Sequence, residues 1–383
     1  MASAAVAFAA SPEGVVKRGN ERRSPLIAWP HLFPGPGLPM KAIGYQKILP
    51  IDDPESLLDI ELPEPTPGPR DLLVEVRSIA VNPVDTKIRR RLAPPAGQFR
   101  VLGWDASGVV RAVGAEVSLF QAGDEVWYAG ARDRPGCNAE LQLVDERIVG
   151  HKPSSLSHAE AAALPLTTVT AWELLFDRLE VERLPPSPGI SHGAEAILII
   201  GAGGGVGSIL TQLARRLTHL SVIGTASRPE TRQWVSEMGA HFVIDHALPL
   251  APQLAELGHP RVRYIAALTQ TEQHLPAITE VIAPQGRLAV IDDPNQLDIM
   301  PFKQKSASIH WEFMFTRSLF ETPDLLAQHQ ILEEAAHLVD AGHLRTTLAS
   351  HFGPINANNL RRAQVLIESG QARGKIVLEG FAP

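Results

Sequence analysis

One short segment limits the fold of this chain more than any other. The apolar run Ala196-Ile197-Leu198-Ile199-Ile200 ends in Gly201-Ala202-Gly203-Gly204-Gly205-Val206-Gly207. Beyond it, Val206, Ile209, Leu210, Leu213, Ala214 and Leu217 recur with helical spacing on one face. Strand, glycine turn and helix in this order make a dinucleotide-binding unit. Glycines let the turn be tight and let backbone approach a pyrophosphate, and the helix start offers free N–H groups and a positive dipole end. Gly201, Gly204 and Gly207 supply a Gly-x-x-Gly-x-x-Gly spacing. The common Gly-x-Gly-x-x-Gly spacing would need glycine at Ala202.

The next strand, Ser221 to Thr225, is followed by Ala226-Ser227-Arg228. Sites that prefer NAD place a carboxylate there to hold the ribose hydroxyls. Here a hydroxyl and a guanidinium stand instead, and an arginine fork suits a phosphate. This predicts NADP(H), with Ser227 and Arg228 on the 2′-phosphate and Arg232 as a weaker candidate. Further strands are expected at 242–245, 262–268 and 286–291, with helices between them. The strand order thus describes a doubly wound parallel sheet. Thr225, His246, Leu268, Thr269, Ile291 and Asp292 fall at the C-terminal strand ends and are expected to line the cofactor cleft.

Residues 40–165 read differently, as short strands with frequent Gly and Pro, which suits a small β-barrel-like domain. Ser157 and Glu160 form a capping-box pattern that starts a helical stretch. The expected organisation is an N-terminal disordered extension at 1–39, a β-rich domain at 40–165, a nucleotide domain at 166–316 and a C-terminal segment, 317–383, whose last strand returns to the first domain. A chain of 383 residues with 44% hydrophobic residues can support two such cores. Its net charge of −7 argues against nucleic-acid or membrane-surface partners. The single cysteine, Cys137, leaves no intrachain disulfide and suits a reducing, cytoplasmic compartment.

Several motifs occur in a fixed order: Asn82-Pro83-Val84-Asp85-Thr86-Lys87, Val101-Leu102-Gly103-Trp104-Asp105, Gly123-Asp124-Glu125-Val126, and Tyr128-Ala129-Gly130. Leu164 to Trp172, Gly203 to Ser208, Glu312-Phe313-Met314-Phe315 and Gly374-Lys375 continue the series. With these the chain resembles the medium-chain dehydrogenase/reductase superfamily, in its zinc-free quinone oxidoreductase branch and among proteins called zinc-type alcohol dehydrogenase-like. The resemblance spans Met40 to about Gly380. It implies an α/β fold, with a GroES-like catalytic domain joined to a Rossmann nucleotide domain, and commonly a homodimer.

Zinc-dependent members of the superfamily bind the metal through a Cys, a His within Gly-His-Glu, and a second Cys or an acidic residue. At the matching places this chain has Asn82 and Gly103-Trp104-Asp105, so no zinc is expected. Asp105 and Asp85 are expected as structural hydrogen-bond partners. The resemblance places Asn82 and Thr170 near the nicotinamide. With Tyr128 they are the candidate hydrogen-bond donors to a developing oxyanion. It also implies cofactor contacts from Gly201, Gly203, Gly204, Gly205, Val206, Gly207, Ser227, Arg228, His246, Leu268, Thr269, Ile291, Phe313, Phe315 and Lys375. Branch members often carry a Tyr shortly after the Asn-Pro motif, where this chain has Lys87-Ile88-Arg89.

The expected activity is NADPH-dependent reduction of a quinone or an α,β-unsaturated carbonyl. One alternative is an enoyl-thioester reductase, with Arg89, Arg90 and Arg91 on the coenzyme A phosphates. The other is an NADPH-binding protein with a regulatory or RNA-contacting role.

Overall fold

The computed structural model describes residues 38–186 and 193–381. Residues 1–37 of the expected extension lie outside the described residues.

The first domain is built on one long strand. β1 (Pro39–Tyr45) and β2 (Leu58–Pro63) pair antiparallel, and β3 (Asp71–Val81) then runs through the middle of a larger sheet. Its apolar residues Leu72, Val74, Val76, Ile79 and Val81 are all buried. Each fully buried aliphatic side chain of this kind contributes about 1.5–3 kcal/mol. Asn82 caps α1 (Pro83–Arg91), whose first residue is proline, the position where a missing N–H costs nothing. β4 (Arg100–Val101) pairs with β1. β5 (Ala106–Val113) starts only past Gly103. Gly103 stands at φ +112°, and a Cβ there would collide with Cys137 and Asn138, so the chain turns before the ladder begins.

β5 pairs with β3 and with β6 (Glu125–Tyr128), while β7 (Leu141–Asp145) pairs with β3 and β8 (Val149–His151) with β6. The capping box on α2 (His158–Ala162) forms as its sequence predicts, with both Ser157 and Glu160 engaged. α3 (Pro165–Trp172) then runs directly into a π-helical turn, Glu173–Arg178.

The second domain is a six-stranded parallel sheet. Its strands are β9 (Ala196–Ile200), β10 (Ser221–Thr225), β11 (Phe242–Ile244), β12 (Val262–Ala267), β13 (Ile282–Val290) and β14 (Ser308–Trp311). Their spatial order is β11-β10-β9-β12-β13-β14, the doubly wound order that leaves a crevice beside the first strand. α4 (Gly205–Leu217), α5 (Pro229–Glu237), α6 (Leu250–Glu256) and α7 (Thr271–Val281) make the crossovers. Ile209, Leu210, Leu213, Ala214 and Leu217 of α4 are buried, as their spacing predicts.

The remaining chain, α8 (Thr316–Phe320), α9 (Ala327–Asp340), β15 (Leu348–His351), α10 (Ala357–Glu368) and β16 (Lys375–Glu379), packs back on the first domain. β16 pairs antiparallel with β3, placing Ile376 opposite Val81. No helix among the described residues is long and apolar enough to cross a membrane.

Candidate active site

The glycine turn closes as its residues dictate. Gly201 adopts φ +86°, its N–H donates to Thr225 Oγ1 at 3.1 Å, and Gly204 caps α4. The amides of Gly205, Val206 and Gly207 open the helix, where backbone N–H groups lack intrahelical acceptors. A Cβ at Gly207 would come within 2.5 Å of the Gly201 carbonyl oxygen, and one at Gly203 within 2.2 Å of Thr231. Leu268 and Thr269, just past β12, pack against Gly201. The turn therefore presents free helix-start N–H groups, an arrangement that suits an anionic group.

At the end of β10, Ser227 is exposed and Arg228 is half-buried. Arg228 donates to the Gln371 carbonyl at 3.1 Å and lies 3.5 Å from Glu230. Arg232 needs correction as a phosphate candidate. Its guanidinium donates to the carbonyls of Ala226 and Val243, tying the ends of β10 and β11 together. His246 follows β11, with Nδ1 buried and unpartnered among the described residues. Its ring stands edge-on to His274 of α7 at 6.0 Å. Burial, then the charge of His246, pushes the His274 imidazole below its ordinary value.

Ile291 and Asp292 lie past β13 beside a cavity of about 440 Å³, lined by Gln270, Thr271, Gln273, Asp292 and Asp293 among others. Across it, Lys87 and Arg91 of α1 reach Asp293 at 3.0 and 3.6 Å.

The polar centre between the domains differs from its sequence reading. Asn82 is buried and offers no free donor. Its amide donates to Asp105 Oδ2 at 2.8 Å, and its oxygen accepts from Lys375 Nζ. Thr170 is likewise committed, its hydroxyl donating to the Leu166 carbonyl at 2.8 Å, the back-bond a buried helical threonine readily makes. Lys375 does not extend an ammonium to the cofactor seat. Nζ is held by Asp105 Oδ2 at 2.8 Å and by the Val81 carbonyl at 3.3 Å. Tyr128 alone of the three donors is uncommitted: it is buried, and its hydroxyl has no partner among the described residues.

Asp85 and Asp105 act as hydrogen-bond partners. Asp85 accepts the Asn82 N–H at 2.6 Å, and Asp105 Oδ1 accepts the Leu166 N–H at 2.8 Å. Burial pushes the Asp85 carboxyl up to about 7, against the pull of the Asn82 N–H and the Lys375 charge. Cys137 is buried and donates to the Asp105 carbonyl, and burial pushes its thiol well up. Phe315 is buried edge-on to Trp104 at 6.3 Å. Phe313, exposed, meets Phe315 edge-on at 5.6 Å and lies under Arg132. Together they form an apolar wall.

Two contributors escaped the sequence reading. Thr271, the first residue of α7, lines the cavity, and His274 one turn on meets His246, because α7 opens at Gln270 just past Thr269. The Lys375–Asp105 ion pair joins residues 270 positions apart and carries no local signal.

Two family models match the chain: the alcohol dehydrogenase GroES-like domain over 68–170 and the zinc-binding dehydrogenase over 238–378. A zinc-type alcohol dehydrogenase-like protein of Staphylococcus aureus is 40% identical over 340 residues, 88% of this chain and 99% of its own length. A crystal structure of a Rhizobium etli protein designated a zinc-dependent alcohol dehydrogenase superposes with TM-score 0.86 at 56% identity. It covers 91% of this chain and 100% of that one. A quinone oxidoreductase of Pseudomonas syringae superposes with TM-score 0.73 at 25% identity, over 89% and 99% of the two chains.

The donor chemistry here does not fit the metal in those names. Asn82 is an amide already bonded on both sides. The Trp104 indole donates to the Ala131 carbonyl, and Asp105 is occupied by an ammonium. No group of three His, Cys, Asp or Glu side chains among the described residues is placed to hold a metal ion.

Proposed function

The chain belongs to the medium-chain dehydrogenase/reductase superfamily, and from that premise we propose that it is an NADPH-dependent reductase of quinones or α,β-unsaturated carbonyls. The end of β10 carries this reading. Thr225-Ala226-Ser227-Arg228 holds no carboxylate to repel a 2′-phosphate; Ser227 is exposed, and Arg228, half-buried, lies against the Gln371 carbonyl and Glu230. The name of the Pseudomonas syringae neighbour supports the quinone half of the proposal.

The fit to a dinucleotide is physical. The α4 amides and Gly201 would hold the pyrophosphate, Leu268, Thr269 and Ile291 would flank the nicotinamide half, and His246 would face the adenosine half. NADPH, when bound, supplies a hydride for the substrate carbon. The chain's own residues then have three tasks. Phe313, Phe315 and Trp104 keep water from one side of the reacting centre. The Tyr128 hydroxyl is the donor left free for negative charge on the substrate oxygen. The Asn82–Asp105–Lys375 network holds the floor between the domains rigid.

The alternatives draw less support. Arg89 is buried and spent on Gln364, Glu368 and the Leu49 carbonyl, and Arg91 lies 3.6 Å from Asp293, so Arg89 is not free to join a phosphate cluster for a thioester. Homodimerisation belongs to the proposal too, through the sheet edge at β14, where Trp311 is exposed. NADPH oxidation with 9,10-phenanthrenequinone, a simple enone and crotonyl-coenzyme A is the direct test. The expected result is turnover with the first two. Tight NADPH binding without turnover of any of the three overturns the proposal.

A further inference from the structure

Lys375 and Asp105 are buried together, with side chains 3% and 0% exposed. Three oxygens surround the ammonium: Asp105 Oδ2, Asn82 Oδ1 and the Val81 carbonyl. All three N–H bonds of the lysine therefore have acceptors, which a buried cation requires. The acceptors are anchored in turn. Asp105 takes the Leu166 N–H and the Asn82 amide, and Val81 lies in the ladder opposite Ile376. The lysine stem packs on the cofactor loop, since a Cβ at Gly205 would lie 2.9 Å from Lys375 Cδ. The residue before it, Gly374, donates its N–H to the Gly203 carbonyl at 3.0 Å.

We infer that Lys375 is a positioning residue, an internal cation in the polar seat where no metal donor set exists, and that it fixes the glycine turn relative to the catalytic domain. An ammonium accepts no electron pair, so its contribution is electrostatic and positional. Without it, Asp105 would be an uncompensated buried charge, and the restraint between Gly205 and Asn82 would be lost. Misplacing reacting groups by about 1 Å can cost on the order of a hundredfold in rate, and that is the loss in kcat/KM expected for Lys375→Ala.

The test uses the full chain. Lys375→Ala removes three methylenes and the ammonium, the size of n-propylammonium. Added n-propylammonium is expected to raise the melting temperature of the variant saturably and to restore kcat/KM. Tetramethylammonium, at equal ionic strength, is expected to do neither.

If Lys375→Ala does not fold, Lys375→Met and Asp105→Asn carry the test through a double-mutant cycle on cofactor affinity and melting temperature, where strong non-additivity is expected. Additive effects, a Lys375→Met variant equal to the parent, no n-propylammonium rescue beyond the tetramethylammonium control, or stoichiometric zinc in the purified parent overturns the inference. The turnover arm rests on the proposed reductase activity, but the melting arm does not. Rescue of melting without turnover on any substrate would sustain the lysine seat and reject the reductase.

Discussion

The N–H of Gly201 donates to the side-chain hydroxyl of Thr225 across 3.1 Å, so the cofactor turn of β9 is tied to the tip of β10. Ser227 and Arg228, the residues proposed to meet the 2′-phosphate, follow Thr225 directly in the chain after Ala226. The turn and the strand tip are joined as one unit by the Gly201–Thr225 bond.

Crowding that unit should damage it. A Cβ at Gly207 would sit 2.5 Å from the Gly201 oxygen and 2.6 Å from Ala202 Cα, both backbone atoms that cannot swing aside. Gly207→Ala is expected to destabilise the fold by about 1–3 kcal/mol and to weaken NADPH and NADH equally. Urea denaturation and fluorescence titration measure the two effects. Unchanged affinity for both cofactors would show that the turn does not hold the pyrophosphate.

Arg228 should behave in the opposite way. Its loss removes a half-buried side chain whose contacts are the Gln371 carbonyl, Glu230 and, in the proposed complex, the 2′-phosphate. Charge-assisted hydrogen bonds are worth about 1.5–3 kcal/mol, roughly ten- to a hundredfold in Kd. Arg228→Ala is therefore expected to weaken NADPH by that factor while leaving NADH and the melting temperature in place. Equal weakening of the two cofactors argues against a phosphate contact.

Tyr128 separates stability from activity. Its buried hydroxyl has no partner, so Tyr128→Phe removes an unsatisfied polar group and should leave the melting temperature level or raise it. Removal of an oxyanion donor costs about a hundredfold or more in kcat, and that loss is expected in NADPH oxidation with phenanthrenequinone. Full activity in the phenylalanine variant would clear Tyr128 of a catalytic part.

Asp85 makes stability pH-dependent. Burial raises its carboxyl from 3.8 to about 7 in the folded chain. Between those values the folded state binds the extra proton, so stability falls as pH rises toward about 7 and levels beyond it. Asp85→Asn keeps an acceptor for the Asn82 N–H without the titration. Its melting curve is expected to lack that decline, and parallel curves for parent and variant from pH 4 to 8 would refute the assignment.

The architecture was legible because it rests on local, repeating rules. Five buried residues from Ala196 to Ile200 before glycines mark a strand and turn, and the apolar spacing of α4 marks a helix packed on a sheet. The ordered motifs from Asn82 to Lys375 placed the chain in its superfamily.

The fate of individual polar side chains was not legible in the same way. Asn82, Thr170, Arg232 and Lys375 each looked able to meet a ligand. Each is spent within the protein, on Asp105, Leu166, the Ala226 and Val243 carbonyls, and Asp105 with Asn82. By itself the sequence determined the strand–glycine–helix unit, the doubly wound sheet and the missing zinc donors, because periodicity and residue chemistry are properties of neighbouring residues. Only the tertiary structure decided which donors stay free. Pairing such as that of Lys375 with Asp105 depends on β16 folding back onto β3, and a contact made across 270 residues leaves no trace in local pattern.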